Sequence, residues 1–263
     1  MRTVLLSAVV LMVPVALFAQ GRGGVGGRGG GTPAPAASPK DAAPIDLTGY
    51  WVSLVTEDWR FRMITPPKGD YASVPLNAEA RRVADAWDPA KDEAAGEQCK
   101  SYGAPAIMRV PGRVHITWEN DRTMRIDTDA GTQTRMLRFA AGPGAAASNA
   151  ASSAAPSWQG DSVAVWETAG GGRGRGPVNG GSLKVVTTHI RPGYLRKNGV
   201  PYSANTTLTE YITKVTEPDS TQYLVVTTIV EDPQYLNQPF VTSTHFKKEA
   251  DGSKWSPSPC SAR

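Results

Sequence analysis

The chain has 263 residues, 40% of them hydrophobic, 8% aromatic and 20% charged, with a formal net charge of +4. That composition suits one modest folded domain plus loose ends; it excludes a charge-driven disordered chain, and so slight a basic excess gives no footing for nucleic-acid binding. Two cysteines exclude a multi-bridge scaffold and a zinc site built from four thiolates.

Residues 1–20 read as a secretory signal peptide: Arg2, an uncharged apolar run from Thr3 to Phe18, then Ala19. The run is shorter than the roughly 20 residues a membrane-crossing helix needs, and Pro14 interrupts it. No later stretch is apolar enough to span a bilayer, so the mature chain is expected in the periplasm or outside the cell. Residues 21–44, mostly Gly, Pro and Ala, can bury very little and are expected to form a disordered linker. Residues 45–263 are expected to form a single domain, with flexible insertions at 140–157 and 169–181, because long loops cost little once they are flexible.

From residue 45 onward the apolar period is two. Val114, Ile116 and Trp118 alternate with Arg113, His115, Thr117 and Glu119. The stretches 47–55, 59–64, 123–127, 132–139, 162–167, 183–190, 207–215, 222–230 and 240–247 are similar, which predicts about ten strands. A single helix is predicted where Asn77 can cap a run placing Ala80, Val83, Ala84 and Trp87 on one face, before Pro89. In the later strands both faces are apolar or Thr: Tyr223, Val225, Thr227 and Ile229 oppose Leu224, Val226, Thr228 and Val230. Such strands are expected to be shielded on both sides. The fold expected is therefore all-β, an antiparallel meander closing into a barrel whose interior holds one small ligand, with a β-sandwich as the alternative.

The segment Asp46-Leu47-Thr48-Gly49-Tyr50-Trp51 resembles the Gly-x-Trp opening strand of lipocalin-like barrels, which implies a barrel of that kind. From about Cys99 to Pro239 the chain also resembles a family of exported bacterial proteins typical of acidobacteria and their relatives. The resemblance is carried by Trp118-Glu119, Thr128-Asp129, Trp158-Gln159-Gly160-Asp161-Ser162 with Trp166-Glu167, Leu208-Thr209-Glu210, and Thr228 through Pro233. It implies export and brings no reaction with it. The Gly/Arg-rich stretch 169–181 departs from that family's pattern.

Export places Cys99 and Cys260 in an oxidising compartment, where they are expected to pair and close a very long loop. The three histidines, His115, His189 and His245, fall within predicted strands, and alternation turns His189 and His245 inward. No His-x-His or His-Glu-x-x-His spacing prepares a metal site, so neither a metal nor another cofactor is expected. Glu210, between Leu208 and Ile212 on one face, is expected to be buried and paired by Arg113, Arg125 or Arg135. With Glu119 and His189 it makes up the candidates for acid–base chemistry. Candidates for ligand contact are Trp59, Trp118, Trp166, Tyr194, Tyr211 and His245. Trp59-Arg60-Phe61-Arg62, followed by Pro66-Pro67, is expected to line a mouth, and the connection from Arg191 to Tyr202 to gate it.

No Gly-x-Ser-x-Gly elbow or phosphate-binding Gly-Lys-Ser/Thr loop is present, and the glycines sit in repeats rather than between a strand and a helix. The reading favoured is an exported lipocalin-like protein that binds a small apolar or aromatic molecule. Its alternatives are a β-barrel lyase, isomerase or hydrolase using a buried carboxylate, and a structural or surface-interaction protein.

Overall fold

A computed structural model describes residues 37–140, 155–168 and 180–263. The expected signal peptide, most of the expected linker and most of both insertions lie outside the described residues. The strands are β1 (Gly49–Leu54), β2 (Arg113–Asn120), β3 (Thr123–Thr128), β4 (Gln133–Phe139), β5 (Asp161–Glu167), β6 (Ser182–Thr188), β7 (Gly193–Arg196), β8 (Val200–Tyr202), β9 (Thr207–Thr216), β10 (Gln222–Glu231) and β11 (Phe240–Lys248). Nine of them close into a barrel in the order β1-β11-β10-β9-β6-β5-β4-β3-β2, while β7 and β8 form a separate hairpin. The closing strand is β1, antiparallel to β11 with Trp51 opposite Lys248 and to β2 with Trp51 opposite Val114. The all-β barrel expected from the alternation is what forms, and the sandwich is not.

The meander has one break. β4 and β5 run parallel, with Leu137 opposite Ser162. Parallel neighbours require a crossover of about a dozen residues or more. The expected insertion at 140–157 falls between these two strands, and most of it lies outside the described residues.

The inward face of each strand is buried among its counterparts. Trp51, Ile116, Met124, Ile126, Leu137 and Phe246 are each at most 1% exposed and belong to one cluster. The barrel is thus filled by its own side chains, which corrects the expectation of a ligand-holding interior. The expectation of shielding on both faces is corrected as well: Tyr223, Val225, Thr227 and Ile229 on β10 are half-buried, and Val215 and Val241 are 44% and 58% exposed. β-branched and aromatic residues suit a pleated strand whether or not a second layer covers them, so apolar character outside does not require one.

Inside, the barrel holds a buried ion pair. Arg135 donates to both carboxylate oxygens of Glu210, at 3.1 and 2.6 Å, and each side chain is 1% exposed. Arg135 also reaches the Thr187 hydroxyl, which hydrogen-bonds Ser162. Arg113 and Arg125, the other partners considered, instead face Glu249 and Asp127.

Both barrel ends are covered. At one, Trp166 donates through its indole N–H to the Pro39 carbonyl at 2.8 Å, Trp51 donates to Leu47, and Trp118, Phe139 and Trp166 pack with centroids 5.4 and 5.5 Å apart. Residues 37–44, expected as part of the linker, lie at this end, held by that indole on Pro39 and by the Lys40 N–H donating to the Asp121 carbonyl at 3.2 Å. The other end carries the β7–β8 hairpin and four short helices, α1 (Trp59–Arg62), α2 (Ala78–Asp85), α3 (Pro89–Ala94) and α4 (Ala104–Ile107). A second core there joins Ala80, Ala84, Leu195 and Val200 to Leu208 and Val230 of the barrel.

The predicted helix is α2, capped by Asn77 accepting from the Ala80 N–H at 2.9 Å. The strand expected over 59–64 is instead the single turn α1. Asp58 adopts a left-handed conformation with φ of 49°, turning the chain off the barrel, and Arg60 and Arg62 pair with Asp70 and Glu57 rather than lining a sheet.

Breaking the interior pair leaves one buried charge unmatched. Glu210→Ala or Arg135→Ala is expected to lower unfolding free energy by about 3–5 kcal/mol, while Arg135→Met with Glu210→Leu together recovers most of that. Urea denaturation of the three variants reads the difference.

Candidate functional site

Three segments from distant parts of the chain meet at the helical end of the barrel and leave a cleft of about 290 Å³. Phe61, Met63 and Ile64, in and after α1, form one wall. Tyr102, Ala106 and Val110, on the approach to β2, form another, and Leu195, Arg196 and Lys197 of the β7–β8 hairpin form the third. Ala130 and Ser258 complete the rim.

Local sequence fixes two of these walls. Gly131 has φ of +76°, and a Cβ there would stand 2.2 Å from the Tyr102 ring, so only glycine lets the β3–β4 turn sit against Tyr102. The expected Cys99–Cys260 disulfide is present, with Cα atoms 5.1 Å apart, and holds the C-terminal segment beside the turn Lys100–Tyr102. Ser261 N–H donates to the Tyr102 hydroxyl at 3.3 Å. Leu195 is anchored in the second core.

The cleft is cationic beneath an apolar rim. Arg62, Arg109 and Arg196 are 8%, 5% and 4% exposed. Arg62 pairs with Glu57 and donates through Nε to the Arg109 carbonyl at 2.9 Å, and Arg109 pairs with Asp58 at 2.9 Å. Arg196 differs: its Nη1 donates to the Ala72 carbonyl at 2.6 Å, and no carboxylate lies within ion-pair distance among the described residues. Its guanidinium stands 4.0 Å from the Phe61 ring centroid. Arg196 Nε and Nη2, Arg109 Nη1 and Arg62 Nη2 are buried with no hydrogen-bond partner among the described residues. Burial, followed by the Arg109 charge, pulls Arg196 down to about 10, so it remains a cation at neutral pH. Burial also lowers Arg62, against the opposing pull of Glu57. Above this, Trp59, Met63 and Ile64 are 65%, 58% and 65% exposed.

The residues singled out from sequence are scattered. Trp59 stands near the cleft on α1. Trp118 and Trp166 pack at the opposite end of the barrel. Tyr194 donates to Asp92 at 2.9 Å, and burial raises its phenol well above the ordinary range. Tyr211 lies on the outer face of β9 beside Lys184. His245 faces outward, 3.2 Å from Glu57, while its neighbours Thr244 and Phe246 are buried; this corrects the inward orientation expected for it. His189 lies just past β6 at φ of 57°, which swings its ring away from the inward row and places it 3.0 Å from Asp161, a second correction. Glu119 is exposed beside Arg125 at 3.7 Å, and Glu210 is enclosed with Arg135. Among the described residues no group of three His, Cys, Asp or Glu is placed to hold a metal.

The cleft therefore unites the segment expected as a mouth with the connection expected as a gate, and adds Tyr102 and Arg109, which no motif marked. The chain matches no protein-family model, no curated protein and no solved structure. Among the described residues no helix is long and apolar enough to cross a membrane.

Because the disulfide spans a sequence separation of 161, its removal frees a long loop. Cys99→Ser with Cys260→Ser is expected to reduce unfolding free energy by up to about 4–5 kcal/mol in the chain-entropy limit. Denaturation of wild type with and without reductant, beside the double variant, measures this.

Proposed function

We propose that the protein is an exported small-molecule-binding module that takes a ligand with an apolar or aromatic body in the cleft at the helical end of the barrel. The observation that carries this is the cleft itself, a concave site of about 290 Å³ with two anchored walls and an apolar rim that nothing else in the described chain covers. Its size is at the lower end of small-molecule sites, roughly 300–1,000 Å³, which combine apolar walls with a few fixed polar groups. Single exposed apolar side chains need no explanation, but Trp59, Met63 and Ile64 are clustered beside a pocket. The disulfide and the absence of a long apolar helix among the described residues are compatible with export. A catalytic role for Glu210 gains no support, since its carboxylate is enclosed in the barrel and occupied by Arg135.

Thermal-shift screening of the protein against small aromatic and aliphatic compounds tests the reading. A ligand at about 100 times its Kd stabilises by about 2.7 kcal/mol, which for a domain of this size is about 5–11 °C in Tm. Val110→Trp, which fills the cleft, is expected to abolish the shift. No stabilising compound, or shifts that survive Val110→Trp, would overturn it.

A further inference from the structure

We infer that the ligand of this cleft carries an acid group, a carboxylate, sulfonate or phosphate, recognised by the Arg196 guanidinium with Arg109 beside it; the inference rests on the binding reading above. The argument is an accounting of charge at the cleft. Arg60, Arg62 and Arg109 each have a carboxylate partner, in Asp70, Glu57 and Asp58. Arg196 is buried like the other two cleft arginines and, among the described residues, has one backbone carbonyl as its hydrogen-bond partner. Taking a cation out of water without a counter-charge is costly, and folded chains satisfy buried charges by pairing. Next to it, Lys197 adds a second positive group, which donates to the main-chain oxygen of Arg263 at 3.3 Å and lies over the Tyr102 ring. The lowered value of Arg196 agrees, since burial and Arg109 oppose its charge and outweigh the support of Asp58 and Asp70, which are already paired with Arg109 and Arg60.

The geometry gives the acid its complement. A guanidinium presents its N–H groups as a fork that matches two oxygens of a carboxylate or a sulfur or phosphorus oxyanion. On Arg196 the Nε and Nη2 edge is the unpartnered one, and on Arg109 it is Nη1. Phe61 stacks over the Arg196 guanidinium and Phe240 lies at 6.0 Å. Those rings partly offset the buried charge through their π faces but supply no hydrogen-bond acceptor in the plane of the fork. The edge itself is buried, so an acid reaches it only when the cleft wall adjusts. Phe61 belongs to a single helical turn that lacks a side-chain cap, so the ligand's acid can take the in-plane position while its body replaces or joins Phe61 against the apolar rim.

Two dyes that share one body isolate the acid. 8-Anilino-1-naphthalenesulfonate and N-phenyl-1-naphthylamine differ by the sulfonate alone, and fluorescence titration reads the affinity for each. Wild type is expected to bind the sulfonate at least about tenfold tighter, the scale of one or two charge-assisted hydrogen bonds. Arg196→Gln should erase the preference for the sulfonate, and Val110→Trp should remove both dyes. Equal affinity for the two dyes in wild type, or a preference that survives Arg196→Gln, overturns the inference and leaves the binding reading standing. Binding of neither dye, with no stabilising compound in the screen, overturns the binding reading itself. Should Arg196→Gln fail to fold, competition in wild type decides: decanoate displaces the sulfonated dye and 1-decanol does not, and displacement by both alike rejects the acid requirement.

Discussion

β1 pairs along both of its edges, with β11 on one side and β2 on the other, and that double pairing determines where everything else in the molecule can go. It removes the free edges and leaves a single interior for all the inward-facing residues. A ring of about eight strands has an interior just wide enough for side chains to fill, and nine here are filled by large ones such as Trp51, Met124, Ile126 and Phe246. With the Trp166 end covered by residues 37–44 and the other by the helices, no ligand can use the inside without dismantling the core. A binding site must be assembled outside the ring. The natural place is the end where the connections before β2, after β1 and between β6 and β9 converge, because there side chains distant in sequence are delivered by a frame that is already rigid.

Two deeply buried arginines show how differently the same cation can be accommodated. Arg135 sits in the interior with both oxygens of Glu210 at hydrogen-bond distance, so its charge is neutralised where it stands and asks nothing of a ligand. Such a pair is weak evidence of net stabilisation, since desolvation consumes most of the Coulomb attraction, and it leaves Arg135 Nε without a partner, but the charge itself is matched by a carboxylate. Arg196 is almost as dry and holds one backbone carbonyl and two aromatic faces. The difference lies in location and counter-charge: Arg196, with no carboxylate at ion-pair distance among the described residues, borders the cleft, and Arg135, paired with Glu210, is walled off. Incomplete satisfaction of a buried group at a concave surface is where a fold's own interactions end and those of a ligand begin.

Strands were legible because parity is local. Glu210 could be assigned to the inner face since Leu208 and Ile212 flank it, and Asn77 could be read as a cap because its side chain satisfies the helix's first free amides. Parity does not say which face is inner when both are apolar, and that is why His245 was assigned to the wrong one: Val241 and Ser243, which share its row, look no less buriable than Thr244 and Phe246. Nor does alternation reveal what stands across the barrel, so a filled interior and a hollow one give the same sequence pattern. Residues 59–62 fit a strand or a helical turn equally well, and only the ion pairs of Arg60 and Arg62 with Asp70 and Glu57 decide between them. For the cleft, each half carried a visible mark, arginine beside aromatic residues in 59–62 and 194–197. Their meeting is tertiary, and Arg109 lies at the end of an apolar stretch with no chemical signature of its own.

The three walls of the cleft are held with unequal strength, which has consequences for how it can respond to a ligand. The Tyr102 wall is fixed by the disulfide and by the turn at Gly131, and the Leu195 wall by the second core. The α1 wall is one turn of helix whose N-cap, Asp58, sits in a left-handed conformation and makes no side-chain cap bond, with Trp59 mostly in solvent and Met63 and Ile64 exposed just beyond it. The Arg60–Asp70 pair that helps hold it is largely exposed on the arginine side, and exposed pairs of this kind contribute roughly 0–1 kcal/mol. Segments with few buried apolar contacts open at low free-energy cost. Phe61, whose ring lies over the Arg196 guanidinium, is carried by this wall, which is held from below by buried Arg62 on Glu57 and the Arg109 carbonyl, so adjustment of the site to its occupant falls on α1 and leaves the barrel unchanged.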